Sequence, residues 1–251
     1  MSWKRYLLIG VGAYLLFVLI ELPAQHILGW AVSDSKQFPI TYTSIKGSLW
    51  RGKMEAVSIQ GIPVDKLKWR FTPSSLIFGR IGFDITLNNA GQELQGNVAI
   101  GSGDRIELED LSGEIPASMI PPMIDLAQIG VGGKVSVDLQ QLTLEKNRIT
   151  TAEGQIKWLG SALLSPFAVK IGDLKADLYS EQEGEVKAKI NDLGGSTAVA
   201  GELSLTTDGN FQVNGEIKPG KNSDSSLESA LKAISKRQSD GSYRITFSSR
   251  L

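Results

Sequence analysis

The stretch that decides the fold reads Gly47-Ser48-Leu49-Trp50-Arg51-Gly52 and resumes with Leu67-Lys68-Trp69-Arg70-Phe71-Thr72-Pro73, then Leu76 and Gly79. It predicts two strands joined by a tight turn, with Trp50 near the start of the first strand and Trp69 near the end of the second. A tryptophan carries on the order of 200 Å² of mostly apolar surface, so the pair would nucleate a core wherever the two meet. We therefore expect the rest of the chain to extend this hairpin.

Length and charge narrow the possible classes of protein. The chain has 251 residues, enough for one large β domain or two small ones. Its 26 lysines and arginines nearly balance its 27 aspartates and glutamates. A surface that neutralises phosphates normally shows as a basic excess, so the sequence carries no electrostatic sign of nucleic-acid binding.

The residues needed for most catalytic sites are missing from the sequence. It contains no cysteine, which excludes disulfides, thiol nucleophiles and thiolate metal sites. The single histidine, His26, lies at the edge of an N-terminal apolar segment. Zinc sites and Ser/His/Asp triads need an imidazole inside a cleft. We therefore expect no enzymatic activity, no metal and no cofactor.

The N-terminal segment predicts a membrane anchor. Lys4 and Arg5 precede an uncharged run over residues 6–20, and after Glu21 the next formal charge is Asp34. As a helix the run covers only about 22 Å of a hydrocarbon layer about 30 Å thick, so the span must continue past Glu21. A cleaved signal peptide is the alternative, but Leu22-Pro23-Ala24 is a poor cleavage site.

The basic pair places the N-terminus in the cytoplasm by the positive-inside rule. We therefore expect two parts: a cytoplasmic N-terminus and transmembrane anchor over residues 1–33, and a β domain over residues 34–251. In a Gram-negative cell the β domain would lie in the periplasm, attached to the inner membrane by one span.

From residue 34 onward the sequence alternates with the period of strands. In the clearest case Ile81, Phe83, Ile85 and Leu87 alternate with polar residues and glycine, and Leu94, Val98 and Ile100 return after the turn Asn89-Ala90-Gly91. Polar side chains fill the other face, as in an antiparallel sheet with one wet side. The pattern predicts further strands over residues 106–111, 134–144, 149–158, 168–178, 185–190, 198–205, 211–217 and 243–247.

Two stretches depart from this alternation. Residues 116–128 contain Pro121 and Pro122 and predict a short helix or irregular cap over a sheet edge. Residues 223–238 predict an amphipathic helix packed on the end of the sheet, with Ser225 and Glu228 as a capping box. The fold class is thus mainly β: an N-terminal transmembrane helix, then a curled antiparallel meander, barrel-like or a half-open trough, with one or two short helices.

Two further motifs have ordinary explanations. Gly130-Val131-Gly132-Gly133-Lys134 resembles a phosphate loop, but Gln128 and Val135 stand where a Walker box needs glycine and Ser or Thr. It predicts a glycine-rich turn. The acidic run Asp104, Glu107, Glu109 and Asp110 surrounds Arg105 and predicts a solvated strand edge instead of a calcium site or an acid/base pair.

The tryptophan hairpin has an internal counterpart. Gly52-Lys53 leads to Leu67-Lys68-Trp69, and Gly133-Lys134 leads, after a longer interval, to Ile156-Lys157-Trp158. The repetition suggests a duplicated hairpin.

The Gly-Ser-Leu-Trp-x-Gly box, together with Leu67, Trp69, Pro73, Leu76 and Gly79, resembles the signature of the type II secretion system protein N family. Leu22-Pro23-Ala24 resembles the start of that family. The resemblance covers roughly residues 1–80. It implies a single-pass inner-membrane subunit with a periplasmic domain, whose partners are other type II secretion subunits. We expect the box residues, above all Trp50 and Trp69, to be needed for structural integrity.

Two functions follow from different features of the sequence. The resemblance implies an interaction protein that supports export of folded proteins, offering an edge strand or an apolar face to other subunits. A one-faced sheet that curls into a trough favours the alternative, a periplasmic lipid carrier similar in fold to AsmA and TamB proteins. A carrier predicts an open groove lined by Ile81, Phe83, Ile85, Leu94 and Val98, whereas an assembly subunit predicts that these residues pack together.

Overall fold

A computed structural model describes residues 3–20, 23–25, 40–59, 62–123, 129–146, 148–165, 168–221 and 223–250. One antiparallel sheet of fourteen strands dominates these residues. The first seven strands are β1 (Ile40–Thr41), β2 (Ser44–Gly47), β3 (Arg51–Ile59), β4 (Ile62–Thr72), β5 (Ile81–Asn89), β6 (Gln92–Ile100) and β7 (Arg105–Pro116). The remaining seven are β8 (Gly130–Glu145), β9 (Arg148–Ser165), β10 (Val169–Gln182), β11 (Glu185–Asp192), β12 (Thr197–Thr206), β13 (Asn210–Pro219) and β14 (Tyr243–Arg250).

The strands follow one another in the sheet in the order of the sequence. From β3 to β13 every strand pairs with the one before it and the one after it, β14 pairs with β13, and β1 and β2 share β3 as their partner. The predicted antiparallel meander is therefore confirmed. The first hairpin, β3–β4, is also confirmed: Ile59 pairs with Ile62, and Gly52 lies opposite Trp69.

One face of this sheet is buried. The main apolar cluster includes Met54 and Val64 near one end of the strand order and Val137 near the middle. A residue on a single sheet is buried only if something covers its face, so the sheet curls around this cluster. The path does not close, because β1 and β14 are not paired with each other. The result is an open trough whose concave face is apolar.

Short helices lie at one end of the trough. A 3-10 turn (Ala117–Met119) runs into a helix, α2 (Ile120–Met123), and Ala117 and Met119 are buried in the main cluster. The predicted cap thus covers the concave face and not a sheet edge, because apolar side chains point into the core. Residues 124–128 lie outside the described residues.

The third helix, α3 (Ser225–Ile234), forms where an amphipathic helix is predicted. Leu227 and Leu231 are buried with Val169 and Tyr243 in a second apolar cluster. The predicted capping box is wrong, because the helix begins one residue earlier: Asp224 is the N-cap and accepts a hydrogen bond from the Ser226 N–H at 3.0 Å.

The N-terminal helix, α1, spans Trp3–Ile20. Within the described part of the chain, no helix meets the length and hydrophobicity required to cross a membrane. Just after α1, Pro23 forms an isolated antiparallel bridge with Ser48, and Ala24 is buried. Glu21 and His26 lie outside the described residues.

Two sequence interpretations are wrong for the same reason. Residues 130–134 begin β8 and do not form a turn, because Gly133 adopts a positive φ of 93° as a bulge inside the strand. The acidic run is not an edge either, since β7 pairs with β6 and β8. In both cases a residue with positive φ inside the strand, Gly133 in β8 and Asp110 in β7, interrupts the alternation of the sequence. Such an interruption resembles a loop when only the sequence is known.

Candidate functional site

The Gly-Ser-Leu-Trp-x-Gly box forms a tight turn between β2 and β3. The Ser48 N–H donates to the Arg51 carbonyl at 2.9 Å, and the Arg51 N–H donates to Ser48 Oγ at 3.3 Å. Gly47 has a φ of 102°, where an L side chain is strained. The turn leaves the Leu49 carbonyl free to accept a hydrogen bond from Trp69 Nε1 at 3.0 Å.

Trp69 packs across β3 on the concave face. Its ring occupies the space that a Cβ on Gly52 would need. Beside Trp69 in the core lies Leu67, the other apolar residue of the second stretch. Trp50 packs elsewhere: its ring meets Phe71 edge-on with centroids 4.7 Å apart, and Phe71 meets Phe83 at 5.7 Å. Both tryptophans are half-buried.

The last three residues of the family signature, Pro73, Leu76 and Gly79, lie in the link between β4 and β5. Pro73 opens a 3-10 turn (Pro73–Phe78), where its missing N–H costs nothing. Gly79 ends that turn in the left-handed region, with φ 70°, and donates to the Leu76 carbonyl at 3.0 Å. Leu76 itself is exposed and has no place in either buried cluster.

The second tryptophan motif repeats the same contact. Trp158 Nε1 donates to the Gly132 carbonyl at 2.9 Å, across the β8–β9 pair, next to the bulge at Gly133. In both motifs an indole therefore satisfies a backbone carbonyl beside an irregularity of the neighbouring strand. The two motifs share this geometry in addition to the sequence pattern.

The five residues named for a groove lie on one face of β5 and β6. Phe83 pairs with Val98, Ile85 lies opposite Gly96, and Leu94 packs against the main cluster. Ile81 is exposed. The face is shared with Trp69, which lies opposite Ile85.

An apolar cavity of about 380 Å³ opens elsewhere on the concave face. It lies between α2 and strands β8 to β11, and almost all of its wall is apolar. None of the five predicted groove residues lines this cavity, whereas Trp158 of the second tryptophan motif does. Its wall includes Ile120, Val131, Val135, Trp158, Leu174 and Ile190.

The acidic run forms an ion-pair network in the middle of the sheet. Glu107 is buried and pairs with Arg80 and with Arg105, whose Nε lies 2.8 Å from the carboxylate. Arg105 also reaches Glu145 at 2.7 Å. Two guanidinium groups thus neutralise the buried carboxylate. Among the described residues no group of three or more His, Cys, Asp or Glu side chains could hold a metal ion.

A carboxylate also holds the turn between β11 and β12. Asp192 accepts hydrogen bonds from the backbone N–H of Val199 and of Gly194, both at 3.0 Å. These two donors stabilise the ionised form and hold the pKa of Asp192 below its usual range.

The last strand leaves an open edge. At its start β14 is met by the segment after α3, through the Arg237–Tyr243 bridge and a hydrogen bond from Ser235 Oγ to the Arg244 carbonyl at 2.5 Å. Beyond Arg244 no described strand pairs with its outer side. The opposite edge is divided between the short strands β1 and β2, a common protection against unwanted pairing. The apolar concave face and the free edge make this chain an open β-trough protein.

Comparison with known proteins places the chain in a family. The family model for type II secretion system protein N matches residues 39–246. A type II secretion system protein N from Vibrio cholerae serotype O1 is 26% identical over 245 residues, covering 93% of this chain and 96% of that protein. One from Pectobacterium carotovorum is 21% identical over 255 residues, covering both chains fully, and one from Klebsiella pneumoniae is 23% identical over 222 residues, covering 86% and 84%.

The chain therefore belongs to the type II secretion system protein N family, as its tryptophan box predicts. No solved structure matches it at a significant level.

Proposed function

We propose that this chain is a periplasmic subunit of the type II secretion system, anchored in the inner membrane by its N-terminal segment. It contributes to export of folded proteins across the outer membrane by binding other subunits and catalyses no reaction. The family match over residues 39–246 is the observation that carries the proposal.

The unpaired edge of β14 suits such a role. A strand from a partner can extend the sheet by main-chain hydrogen bonds, and side-chain pockets then supply specificity. On β14 the concave face carries Ile245 and the exposed ring of Phe247, which contacts Phe211 with centroids 5.4 Å apart. An added strand would cover both.

A photo-crosslinking amino acid at Thr246 tests this edge in living cells of the native host. Gln140 serves as the matched control, since it is also exposed but lies on β8 in the middle of the sheet. We expect position 246 to crosslink to secretion-system subunits and position 140 to give no such product. Equal crosslinking from both positions would contradict binding at the edge.

A lipid carrier is the second candidate, favoured by the apolar cavity near Trp158. Cavities of about 300–1,000 Å³ with apolar walls are the usual size for small apolar ligands. Purification of the intact protein in detergent, followed by analysis of bound proteins and lipid, separates the two functions. Secretion subunits without stoichiometric lipid support the first; tightly bound phospholipid without those subunits supports the carrier.

A cavity-filling variant sharpens that test. Ala176→Phe would occupy the cavity and remove bound lipid if the cavity is the site. Ala198→Phe, at an exposed position of β12, is the control. Lipid that survives Ala176→Phe is bound elsewhere.

A further inference from the structure

We propose that the end of the trough carrying the 3-10 turn Pro73–Phe78 rests on an anionic phospholipid surface, with the turn inserted among the head groups. The inference rests on the proposed membrane anchoring and adds a second contact between this chain and the bilayer. It assigns a role to Leu76, a residue of the family signature that is not packed in either apolar cluster.

Three consecutive apolar side chains are exposed on this turn. Leu76 is 56% exposed, Ile77 82% and Phe78 71%. At the adjoining strand ends Ile81 lies opposite Ile100, and both are about half exposed. We call these five residues the apolar tip. Exposed apolar side chains gathered at one end of the strands in this way mark a surface for a partner or a membrane.

The apolar tip is held in place by its backbone. Pro73 starts the 3-10 turn, and the Gly79 N–H returns to the Leu76 carbonyl at 3.0 Å. The Arg80 guanidinium covers the Phe78 ring at 5.6 Å while pairing with Glu107. These hydrogen bonds within the 3-10 turn fix its backbone conformation. The apolar side chains of the turn therefore stay outside the core.

A basic surface lies beside the apolar tip on the outer face of β3 and β4. Arg51 lies opposite Arg70, and Lys53 lies opposite Lys68. Like charges directly opposite each other in a sheet repel. Lys53 is compensated by Glu55 at 2.7 Å, and Asp84 lies opposite Arg70 while accepting a hydrogen bond from Thr72. Four basic side chains thus face two carboxylates, and the surface keeps a basic excess.

Among the described residues Arg51 and Arg70 form no ion pair, and both are exposed. An external anionic surface would relieve the repulsion that Asp84 leaves uncompensated. Phosphate head groups provide that charge, and each basic side chain near a bilayer adds to its attraction.

The position of α1 favours a membrane over a protein partner. Pro23, three residues after α1 ends, bridges to Ser48 in the turn that carries Arg51. The C-terminal end of α1 is thus joined to the end of the trough that bears the tip and the basic pair. If α1 is anchored in the bilayer, this end of the sheet faces the bilayer surface.

The absence of cysteine from the sequence makes a direct test simple. The full-length variant Ile77→Cys carries an environment-sensitive fluorophore and is reconstituted into vesicles of phosphatidylglycerol and phosphatidylcholine with nitroxide-labelled lipid. Leu193→Cys is the matched control, because Leu193 is also an exposed apolar residue but lies at the opposite end of the strands. Vesicle flotation is measured first.

We expect the probe at position 77 to be quenched about twofold more than the probe at 193. We also expect Arg51→Gln with Arg70→Gln to reduce this quenching in anionic vesicles but not in pure phosphatidylcholine. Equal quenching at 77 and 193 in floated vesicles overturns the inference and leaves the anchor intact. A chain that does not float refutes the anchor and the inference together. A crosslinker at 77 that captures protein and no lipid also overturns it.

Discussion

The two tryptophan motifs both use an indole N–H to satisfy a backbone carbonyl of the neighbouring segment, but they differ in how tightly the indole ring is packed. At the first, Trp69 fills the room beside Gly52, so that strand tolerates no side chain there. At the second, Trp158 lies opposite Val135, a full-sized core residue, and a Cβ on Gly132 would meet ordinary contacts of 3.4 Å or more. The hydrogen bond is common to both motifs, whereas only the first needs a glycine opposite its indole.

The largest expected effect comes from glycine. Gly52→Ala would drive a methyl group into the Trp69 ring and the Lys46 carbonyl, and we expect it to lower the free energy of unfolding by about 2–3 kcal/mol. Gly132→Ala is the matched control and should change it by less than about 1 kcal/mol. Urea unfolding of the detergent-solubilised protein, followed by circular dichroism, measures both. Similar losses at the two glycines would refute the difference drawn between the motifs.

A smaller effect tests what the motifs share. Trp69→Phe and Trp158→Phe each remove an indole donor and leave the Leu49 or Gly132 carbonyl without that bond. We expect each to cost about 1–3 kcal/mol, from the lost hydrogen bond and the smaller ring. The same unfolding measurement applies, with Trp3→Phe on α1 as control. A neutral result at one site alone would show that the two indoles are not equivalent.

We expect the smallest loss of stability from removing a carboxylate that accepts backbone hydrogen bonds, in contrast to the two indoles that donate them. Asp192→Ala removes the acceptor for Val199 and Gly194 in the β11–β12 turn, and we expect a loss of about 1 kcal/mol at pH 7. Because folding lowers the pKa of Asp192, its contribution is present above the unfolded value of about 3.9 and is lost as the pH falls through the lower folded value.

Unfolding curves of the wild type and Asp192→Ala between pH 7 and pH 3 measure this effect. The difference between the two proteins should shrink at the acid end. A difference that stays constant with pH would contradict a role for the ionised carboxylate.

The strand pattern was predictable because one face is apolar and the other wet, which gives a period of two. Strand lengths were not predictable from it. Strand β9 runs over Arg148–Ser165 and β10 over Val169–Gln182, both longer than predicted. Gly154, Gly160 and Gly172 have positive φ inside these strands, and a single sequence does not distinguish such a bulge from a turn.

The box was recognisable from the sequence, but the cavity was not. Its wall joins α2 to strands as distant in sequence as β8 and β11, and this proximity follows from the curl of the sheet. The alternation of the sequence around Ile190 or Leu174 predicts which face of the sheet each side chain occupies, but not which other strands it meets. The exposure of Leu76 was equally hidden, because a leucine beside glycine and proline predicts a turn without saying which side chains it buries.

The simple strand order has a consequence for how the molecule is made. Each strand from β4 onward finds its first partner in the segment synthesised just before it. Contacts between neighbouring hairpins close short loops, which favours rapid folding. The sheet can therefore grow one strand at a time behind the emerging chain, with no early strand waiting for a late one. At every stage the growing sheet presents the outer edge of its newest strand to its surroundings, and in the finished sheet that edge belongs to β14.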